Sequence, residues 1–253
     1  MKYWDIINIR NNEYYRWQIN DLNFWLYRDN SEWIIGYKYK KNQKNELIYN
    51  RIDKKPKNAE WVQILANTDS NNIQIAPGQP DLPIMIKSKR YLYIMPGNSI
   101  TYYIKIPVYI HINSMQKNNS LNLFSINSKK ISKTWFGDPT SKKGILSYSS
   151  EAILEKDLLK IDYNYGMIIC PLKIINKSNN KFNFSALNIQ TQFLSVYEMN
   201  DFLMSETIVY NIKKNSKIDI NIKNNSFNKK DSTLLSKPRE KFNKNMLEKI
   251  LLL

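Results

Sequence analysis

The sequence predicts an all-β protein made of two β-sandwich-like halves and a short C-terminal helix. Short segments rich in Tyr, Ile, Phe and Trp recur along the chain, separated by clusters of Asn, Asp, Gly and Pro, which is the pattern of strands joined by turns. Within these segments apolar and polar residues alternate with a period of two, as at 33–40 and 104–113. Stretches with helical periodicity are few.

The first half, residues 1–115, begins with a meander. Segments 14–19, 22–27 and 33–40 predict three successive strands, because turn-forming residues separate them. A basic, polar stretch at 40–58 predicts a long hairpin loop before the apolar segment at 61–65. Three more strands are expected at 83–88, 90–95 and 99–113. In the last of them five aliphatic residues share one face, expected to be the inner one: Ile104, Ile106, Val108, Ile110 and Ile112.

The second half, residues 120–212, carries a second series of short strands. They are predicted at 121–126, 144–148, 167–176, 182–189, 193–197 and 207–212. A series of this kind is typical of a sandwich. One internal helix is predicted at 149–158, because Ser149 or Ser150 can cap it and apolar residues follow at helical spacing.

The remaining segment, residues 213–253, is rich in Lys and Asn. Its thin apolar content to about residue 237 predicts a mobile tail. From residue 238 onward Phe242, Met246 and Ile250 share a face, which predicts a terminal amphipathic helix. Such a helix docks on its own body, on a protein partner or on a second copy of the chain, or weakly on a membrane surface.

Several enzyme classes lack the residues that they need. A catalytic triad requires a His, and the chain has only His111, with neither a GxSxG nor a Cys-His signature around it. One His and one Cys far apart cannot supply a zinc site. With six Gly, the chain contains neither phosphate-binding loop motif. We therefore expect no catalytic residue of these types, no metal and no cofactor.

Charge and cysteine content indicate the compartment and a class of partner. The single Cys170 cannot form an internal disulfide and is expected in the core, which fits the cytoplasm. No secretory signal and no apolar run of about 18 residues is present. A net charge of +16 favours a polyanion such as nucleic acid. However, only six of the cations are Arg, and an AT-rich codon bias also explains the excess of Lys.

The segment 128–144 combines cations, aromatics and a turn. Here Lys133, Trp135, Asp138, Lys142 and Lys143 flank or follow the turn formed by Gly-Asp-Pro. One interpretation is an exposed loop that presents an aromatic ring and cations to an anionic or planar ligand, with Asp138 as an orienting acceptor. The other is a hairpin whose Trp135 fills the core or the seam between the two halves, with solvated lysines around it.

Tryptophan is concentrated in the first third of the chain. Five of the six tryptophans lie there, with several tyrosines: Trp4, Trp17, Trp25, Trp33, Trp61, Tyr14, Tyr15, Tyr27, Tyr37 and Tyr39. On a β platform beside lysines these rings are able to stack on bases or sugars. They are equally suited to filling the core of a small β domain.

Four segments resemble an uncharacterised family of similar length found mainly in archaea and some bacteria. These are Trp-Phe-Gly-Asp-Pro at 135–139, Gly-Ile-Leu-Ser-Tyr at 144–148, the stretch from Cys170 to Ser178 and Leu-Ser-Val-Tyr at 194–197. All four lie in the second half of the chain. The family carries only a domain-of-unknown-function label, so the resemblance implies no activity and no catalytic residues.

We expect the protein to be a non-enzymatic cytoplasmic binding or interaction module, with a polyanion such as single-stranded nucleic acid as its ligand. Two alternatives remain open. The first is an enzyme that uses carboxylate and Lys chemistry around Asp138, Lys142 and Lys143. The second is an assembly subunit that uses the C-terminal helix.

Overall fold

The structure is a computed structural model of the chain. It describes residues 4–29, 32–41, 48–66, 70–116, 119–137, 144–152, 154–200, 202–214, 217–223 and 232–242.

Strands make up most of the described residues, which confirms the all-β class. In chain order they are β1 (Ile6–Asn8), β2 (Tyr14–Ile19), β3 (Leu22–Asp29), β4 (Glu32–Tyr39), β5 (Ile48–Ile52), β6 (Glu60–Leu65), β7 (Asn72–Gly78), β8 (Ile84–Ile94), β9 (Ser99–Pro107), β10 (Tyr109–Met115), β11 (Ser120–Asn127), β12 (Lys133–Phe136), β13 (Ile145–Ala152), β14 (Met167–Asn176), β15 (Phe182–Ile189), β16 (Val196–Met199), β17 (Phe202–Met204), β18 (Thr207–Ile212), β19 (Ile218–Lys223) and β20 (Thr233–Ser236). The helical elements among the described residues are two single 3₁₀ turns, Leu158–Lys160 and Thr191–Phe193. Within the described ranges no helix is long and apolar enough to cross a membrane.

The chain divides into two units, and each is assembled from separate stretches of sequence. The first unit comprises Met1–Gly78, Pro107–Lys130 and Asn164–Met167. It contains a five-stranded sheet in the order β5-β2-β3-β4-β6 and a four-stranded sheet in the order β1-β7-β10-β11. The predicted halves were continuous in sequence, whereas these units are not.

The second unit comprises Gln79–Ile106, Ile131–Tyr163 and Ile168–Leu253. One of its sheets has four strands in the order β12-β13-β8-β15. The other has seven strands, in the order β19-β18-β14-β17-β16-β20, with β9 also paired to β14. Parallel pairs occur in both sheets, between β13 and β8 and between β14 and β18.

The N-terminal meander is confirmed. Strands β2, β3 and β4 pair antiparallel in succession, with Trp17 opposite Phe24 and Phe24 opposite Tyr37. The turn between β2 and β3 contains Asn20 at φ 55°, a left-handed conformation that Asn tolerates better than most residues. The predicted long loop at 40–58 contains strand β5, which pairs with β2.

The helix predicted at 149–158 is wrong. Strand β13 continues through Ser149 and Ser150, which pair in parallel with β8. Asp157 does cap a helical element, accepting a hydrogen bond from the Leu159 amide at 3.0 Å, but that element is the single 3₁₀ turn. A strand position in the sheet interior therefore overrides the local helical spacing.

Two predicted strand divisions are also wrong. Residues 84–94 form one strand instead of two. Residues 99–113 form two strands instead of one, β9 in the second unit and β10 in the first. The break follows Pro107, which has no N–H to donate, and the amide of the next residue, Val108, bonds to the Gly166 carbonyl. The face prediction is confirmed, since all five aliphatic residues are fully buried: Ile104, Ile106, Val108, Ile110 and Ile112.

Part of the segment expected to be a mobile tail forms strands. Strand β19 pairs with β18, because Ile218, Ile220 and Ile222 give it an apolar alternation that the high Lys and Asn content obscures. Strand β20 pairs with β16. Residues 238–242 form no helical turn, and Phe242 lies edge-on to Phe193 with ring centres 5.7 Å apart. Met246 and Ile250, on the predicted helix, lie outside the described residues.

The core of the first unit lies on one face of the five-stranded sheet. Trp17, Phe24 and Trp33 are almost completely buried there, and the rings of Trp17 and Phe24 stack with centres 5.1 Å apart. Arg28 is also buried, 5.0 Å from the Trp33 ring centre, and donates a 2.5 Å hydrogen bond to the Ser70 carbonyl. Aromatic packing and one backbone-bound guanidinium therefore hold this core together.

Trp17→Ala is expected to lower the free energy of unfolding by about 3–5 kcal/mol, because it leaves a cavity in a closely packed core. Urea denaturation followed by circular dichroism measures the change. Leu65→Ala, at a side chain 76% exposed in the same sheet, is the control and should change stability by less than about 0.5 kcal/mol. Equal losses in the two variants would contradict the assignment of the faces.

Candidate binding surface

The five-stranded sheet has a second face, opposite the core, which we call the aromatic face. Strand pairing arranges its side chains in rows across the sheet. The row through Arg16 is Asn50, Arg16, Trp25, Gly36 and Trp61. The row through Tyr14 is Ile52, Tyr14, Tyr27, Ile34 and Gln63. Rows lie about 6.8 Å apart, two residues along each strand.

Gly36 shapes the Arg16 row. A Cβ added at Gly36 would lie 2.7 Å from ring carbons of Trp61, so the indole of Trp61 lies directly on the glycine. Trp25, opposite Gly36 on β3, is 7% exposed. The missing side chain therefore lets the Trp61 ring lie against the sheet in the row that also holds the buried Trp25, and we call these two indoles the aromatic floor.

Arg16 lies beside this floor and is held by neutral groups. Its Nη2 donates to the side-chain oxygen of Gln18 at 2.9 Å and to that of Asn23 at 2.8 Å. Its Nε is buried and has no hydrogen-bond partner among the described residues. Because amide oxygens carry no net charge, the positive charge of Arg16 is oriented but not neutralised.

Two lysines add to the positive charge of this face. The ammonium of Lys55 lies 4.4 Å from the centre of the Trp61 ring, within the range of a cation–π interaction. Lys38 is exposed and pairs across the sheet with Asn23, in the row next to that of Arg16. The aromatic floor is thus bordered by three cations.

Two stacked tyrosines lie in the next row of the aromatic face. Tyr14 and Tyr27 stack with ring centres 4.3 Å apart and 22° between the ring planes. Burial and the neighbouring Tyr27 hydroxyl raise the pKa of Tyr14 above its usual value, so the phenol stays neutral at physiological pH. The Tyr27 hydroxyl donates to Asn12 at 2.9 Å. This row is aromatic, polar and uncharged.

The far end of the same face is acidic. Asp29 and Glu32 are paired across β3 and β4, and Leu65 stands opposite Glu32 on β6. Glu32 accepts a 2.5 Å hydrogen bond from Gln63. We call Asp29 and Glu32 the acidic row. The face therefore changes from cationic to anionic over the two row spacings that separate Arg16 from this row.

The core-filling interpretation of the tryptophan-rich segment is right for two of its indoles, and the base-stacking interpretation stays a prediction. Trp17 and Trp33 fill the core, while Trp25 and Trp61 lie on the opposite face. Sequence reasoning did not single out Arg16 and Lys55 as site residues. Alternation along β2 would have placed Arg16 and Trp17 on different faces of the sheet. The row that links Arg16 to Trp61, however, depends on the pairing of four strands.

The loop candidates are only partly described. Lys133 and Trp135 lie on strand β12, which pairs with β13, and both are exposed, Trp135 by 45%. The indole of Trp135 lies over Gly144 instead of filling the core, so the core-filling interpretation is wrong. Asp138, Lys142 and Lys143 lie outside the described residues. The ligand-binding role of this loop stays a prediction.

Cys170 and His111, the single cysteine and the single histidine of the chain, each have neighbouring polar groups. Burial raises the pKa of the Cys170 thiol to about 12, and Glu206 adds to that effect while Ser205 opposes it. Nδ1 of His111 is 2.8 Å from the Ser125 hydroxyl, which donates its O–H to the side-chain oxygen of Asn122 at 3.1 Å. Across the described ranges, no three His, Cys, Asp or Glu side chains converge as metal ligands.

The chain matches a family model over nearly its whole length. The family, described as Protein of unknown function (DUF432), matches residues 3–253, and the chain therefore belongs to it. This confirms the resemblance to a domain-of-unknown-function family of about this length. The comparison with curated proteins and the comparison with solved structures each found no match.

Cys170 is expected to be inert in the folded protein. A pKa of about 12 instead of 9.0 lowers the thiolate fraction at pH 8 by about 1,000-fold, and the thiolate is the reactive form. Reaction with a chromogenic disulfide reagent at pH 8 should be slower by at least that factor in the native protein than in 8 M urea. Comparable rates in the two conditions would contradict the burial of this thiol.

Proposed function

We propose that this member of the DUF432 family is a non-enzymatic binding module whose aromatic face binds single-stranded nucleic acid. The observation that carries the proposal is the Arg16 row. It combines an oriented, un-neutralised guanidinium with the half-buried indole of Trp61 on one face of a sheet. Phosphate and planar bases are the two chemical groups that such a row is suited to bind together.

The cations account for the phosphate part of the ligand. Arg16 is positioned by Gln18 and Asn23, so little conformational entropy is lost when it pairs with an oxyanion. Lys38 and Lys55 border the same surface. Three phosphate contacts on a single strand correspond to a slope of about −2 for log K against log salt.

The rings account for the base part of the ligand. Stacking of a base on an aromatic side chain contributes about 1–3 kcal/mol and tolerates any base. Trp61 and the Tyr14–Tyr27 pair are half-buried and lie flat against the sheet or each other, which keeps them in place before a ligand arrives. We therefore expect binding with little sequence preference.

We propose that the two sheets of each unit pack as a β-sandwich, because contacts join them. In the first unit Tyr37 lies 5.7 Å from Phe124 between ring centres, and in the second the Tyr210 hydroxyl donates to the Asn188 carbonyl at 2.8 Å. We also place the protein in the cytoplasm, since its one thiol needs no oxidising compartment.

The alternative functions have less support. The enzyme alternative depends on Asp138, Lys142 and Lys143, which lie outside the described residues. The assembly alternative depends on a C-terminal helix, with Met246 and Ile250 outside the described residues and Phe242 already packed on Phe193. No contact of the described residues favours either one over the aromatic face.

Arg16→Gln is expected to weaken binding of a fluorescein-labelled oligothymidylate by about tenfold, because a charge-assisted hydrogen bond is lost. Fluorescence polarisation at two salt concentrations measures the affinity and the salt slope. Trp61→Ala should weaken binding by a similar factor without changing the slope.

Arg51→Gln is the matched control. It removes the same charge from the same sheet, but Arg51 belongs to the opposite face and pairs with Glu13 at 3.1 Å. The Arg51→Gln variant should bind the labelled oligothymidylate as tightly as the wild type does. Lys142→Glu/Lys143→Glu tests the loop: if this variant abolishes binding while Arg16→Gln does not, the ligand surface is the loop and the proposal is wrong.

A further inference from the structure

An apolar cleft lies in the second unit, where strands β18 and β19 meet the residues that follow β15. Strand β19 stands at one end of the strand order of its sheet, so the apolar face that it shares with β18 needs a cover at this side. Two rows of directly paired residues line the cleft, Ile208 with Ile222 and Tyr210 with Ile220. The other lining residues are Gln190 and Phe193.

The chemistry of the cleft suits an apolar occupant. The Tyr210 hydroxyl donates to the Asn188 carbonyl at 2.8 Å. The side-chain nitrogen of Gln190 donates to the side-chain oxygen of Asn188 at 2.6 Å, and its oxygen accepts from Gln192 at 3.0 Å. Because these bonds already engage the two polar side chains of the cleft, an occupant meets mainly hydrocarbon, which is stabilised by removal from water.

The size of the cleft suits side chains of a polypeptide. It encloses about 220 Å³. Pockets that bury a small-molecule ligand have volumes of about 300–1,000 Å³. The cleft is therefore too small for a ligand of that class, and it has room for a few aliphatic side chains brought in by a chain segment.

The described chain ends beside this cleft and is held there by several contacts. Strand β20 pairs with β16, and the guanidinium of Arg239 donates to the carbonyls of Gln79 at 2.7 Å and Pro80 at 2.6 Å. The Glu240 amide bonds to the Gln192 carbonyl at 3.0 Å. Two residues later Phe242 packs edge-on against Phe193, which itself lines the cleft. The residues that follow Phe242 therefore start at the cleft.

We propose that the cleft is the docking site for apolar side chains of residues 243–253 of the same chain. Six of these eleven residues are apolar, and they lie outside the described residues: Met246, Leu247, Ile250, Leu251, Leu252 and Leu253. Met246 follows Phe242 by four residues, a reach of up to about 13 Å, whereas the two rows of the cleft are about 6.8 Å apart.

The short connection favours the same chain over a second copy as the source of the occupant. A segment joined by a short flexible linker has an effective concentration of about millimolar at its site, which a second copy in micromolar solution does not reach. The inference goes beyond the nucleic-acid function and is independent of it, because the aromatic face belongs to the first unit and the cleft to the second.

Hydrogen–deuterium exchange of the peptide that contains β19, read by mass spectrometry on the full chain, tests the proposal. A docked segment has to leave before β19 separates from the sheet, so docking slows exchange of this strand. Met246→Asp/Ile250→Asp is expected to speed the exchange at least about tenfold, the factor that loss of one buried aliphatic side chain produces. Met246→Ser/Ile250→Ser should act in the same way without added charge, which keeps the test informative if the aspartates prevent folding.

Asn243→Asp/Asn245→Asp is the matched control, because it adds two carboxylates to the same segment at polar positions. Its exchange should equal that of the wild type. All measurements are made at two protein concentrations about a hundredfold apart, because docking within one chain does not depend on concentration. Faster exchange in the two apolar variants alone, at both concentrations, is the expected result.

Three results would overturn the inference. If β19 exchanges as slowly in the apolar variants as in the wild type, residues 243–253 do not cover the cleft. If the asparagine control exchanges as fast as the apolar variants, added charge and not lost burial is the cause. If wild-type exchange becomes as fast as that of the apolar variants on dilution, the occupant is the segment of a second copy.

Discussion

Alternation of side chains along the strands of the five-stranded sheet is the constraint on which the candidate surface depends. Arg16 and Trp17 are neighbours in the chain, yet one stands on the aromatic face and the other is buried in the core. A one-residue slip of β2 would put the guanidinium in the core and the indole in water. The energy of burying Trp17 and Phe24 therefore also fixes where Arg16 points.

Gly36 determines how the Trp61 ring lies on the aromatic face. It stands between Trp25 and Trp61 in the same row, and a side chain there would meet the Trp61 ring at 2.7 Å. The glycine weakens a strand interior on its own, and the indole that lies on it restores the lost contact. With the ring in place, the ammonium of Lys55 gains a position over an aromatic face. The position of Lys55 thus depends on the Trp61 ring, and the position of that ring depends on the absence of a side chain at Gly36.

The sequence predicted the fold where short-range pattern decides it and failed where long-range pairing decides it. The meander and the buried face of 104–112 followed from alternation alone. The helix expected at 149–158 failed because Ser149 and Ser150 gain partners on β8, about 65 residues earlier in the chain. The break at Pro107 separates two units, and period-two alternation continues straight through it. That Arg16 and Trp61 share a row was likewise unpredictable, because three strand pairings connect them.

The central claim is that one face of this sheet binds a ligand and the other holds the core. Indole N–H signals in a ¹H–¹⁵N correlation spectrum test it directly, because the chain has six tryptophans and each gives one signal. During titration with oligothymidylate the account predicts that the Trp61 signal moves while those of Trp17 and Trp33 stay fixed. A titration in which the Trp135 signal moves and the Trp61 signal does not would contradict it.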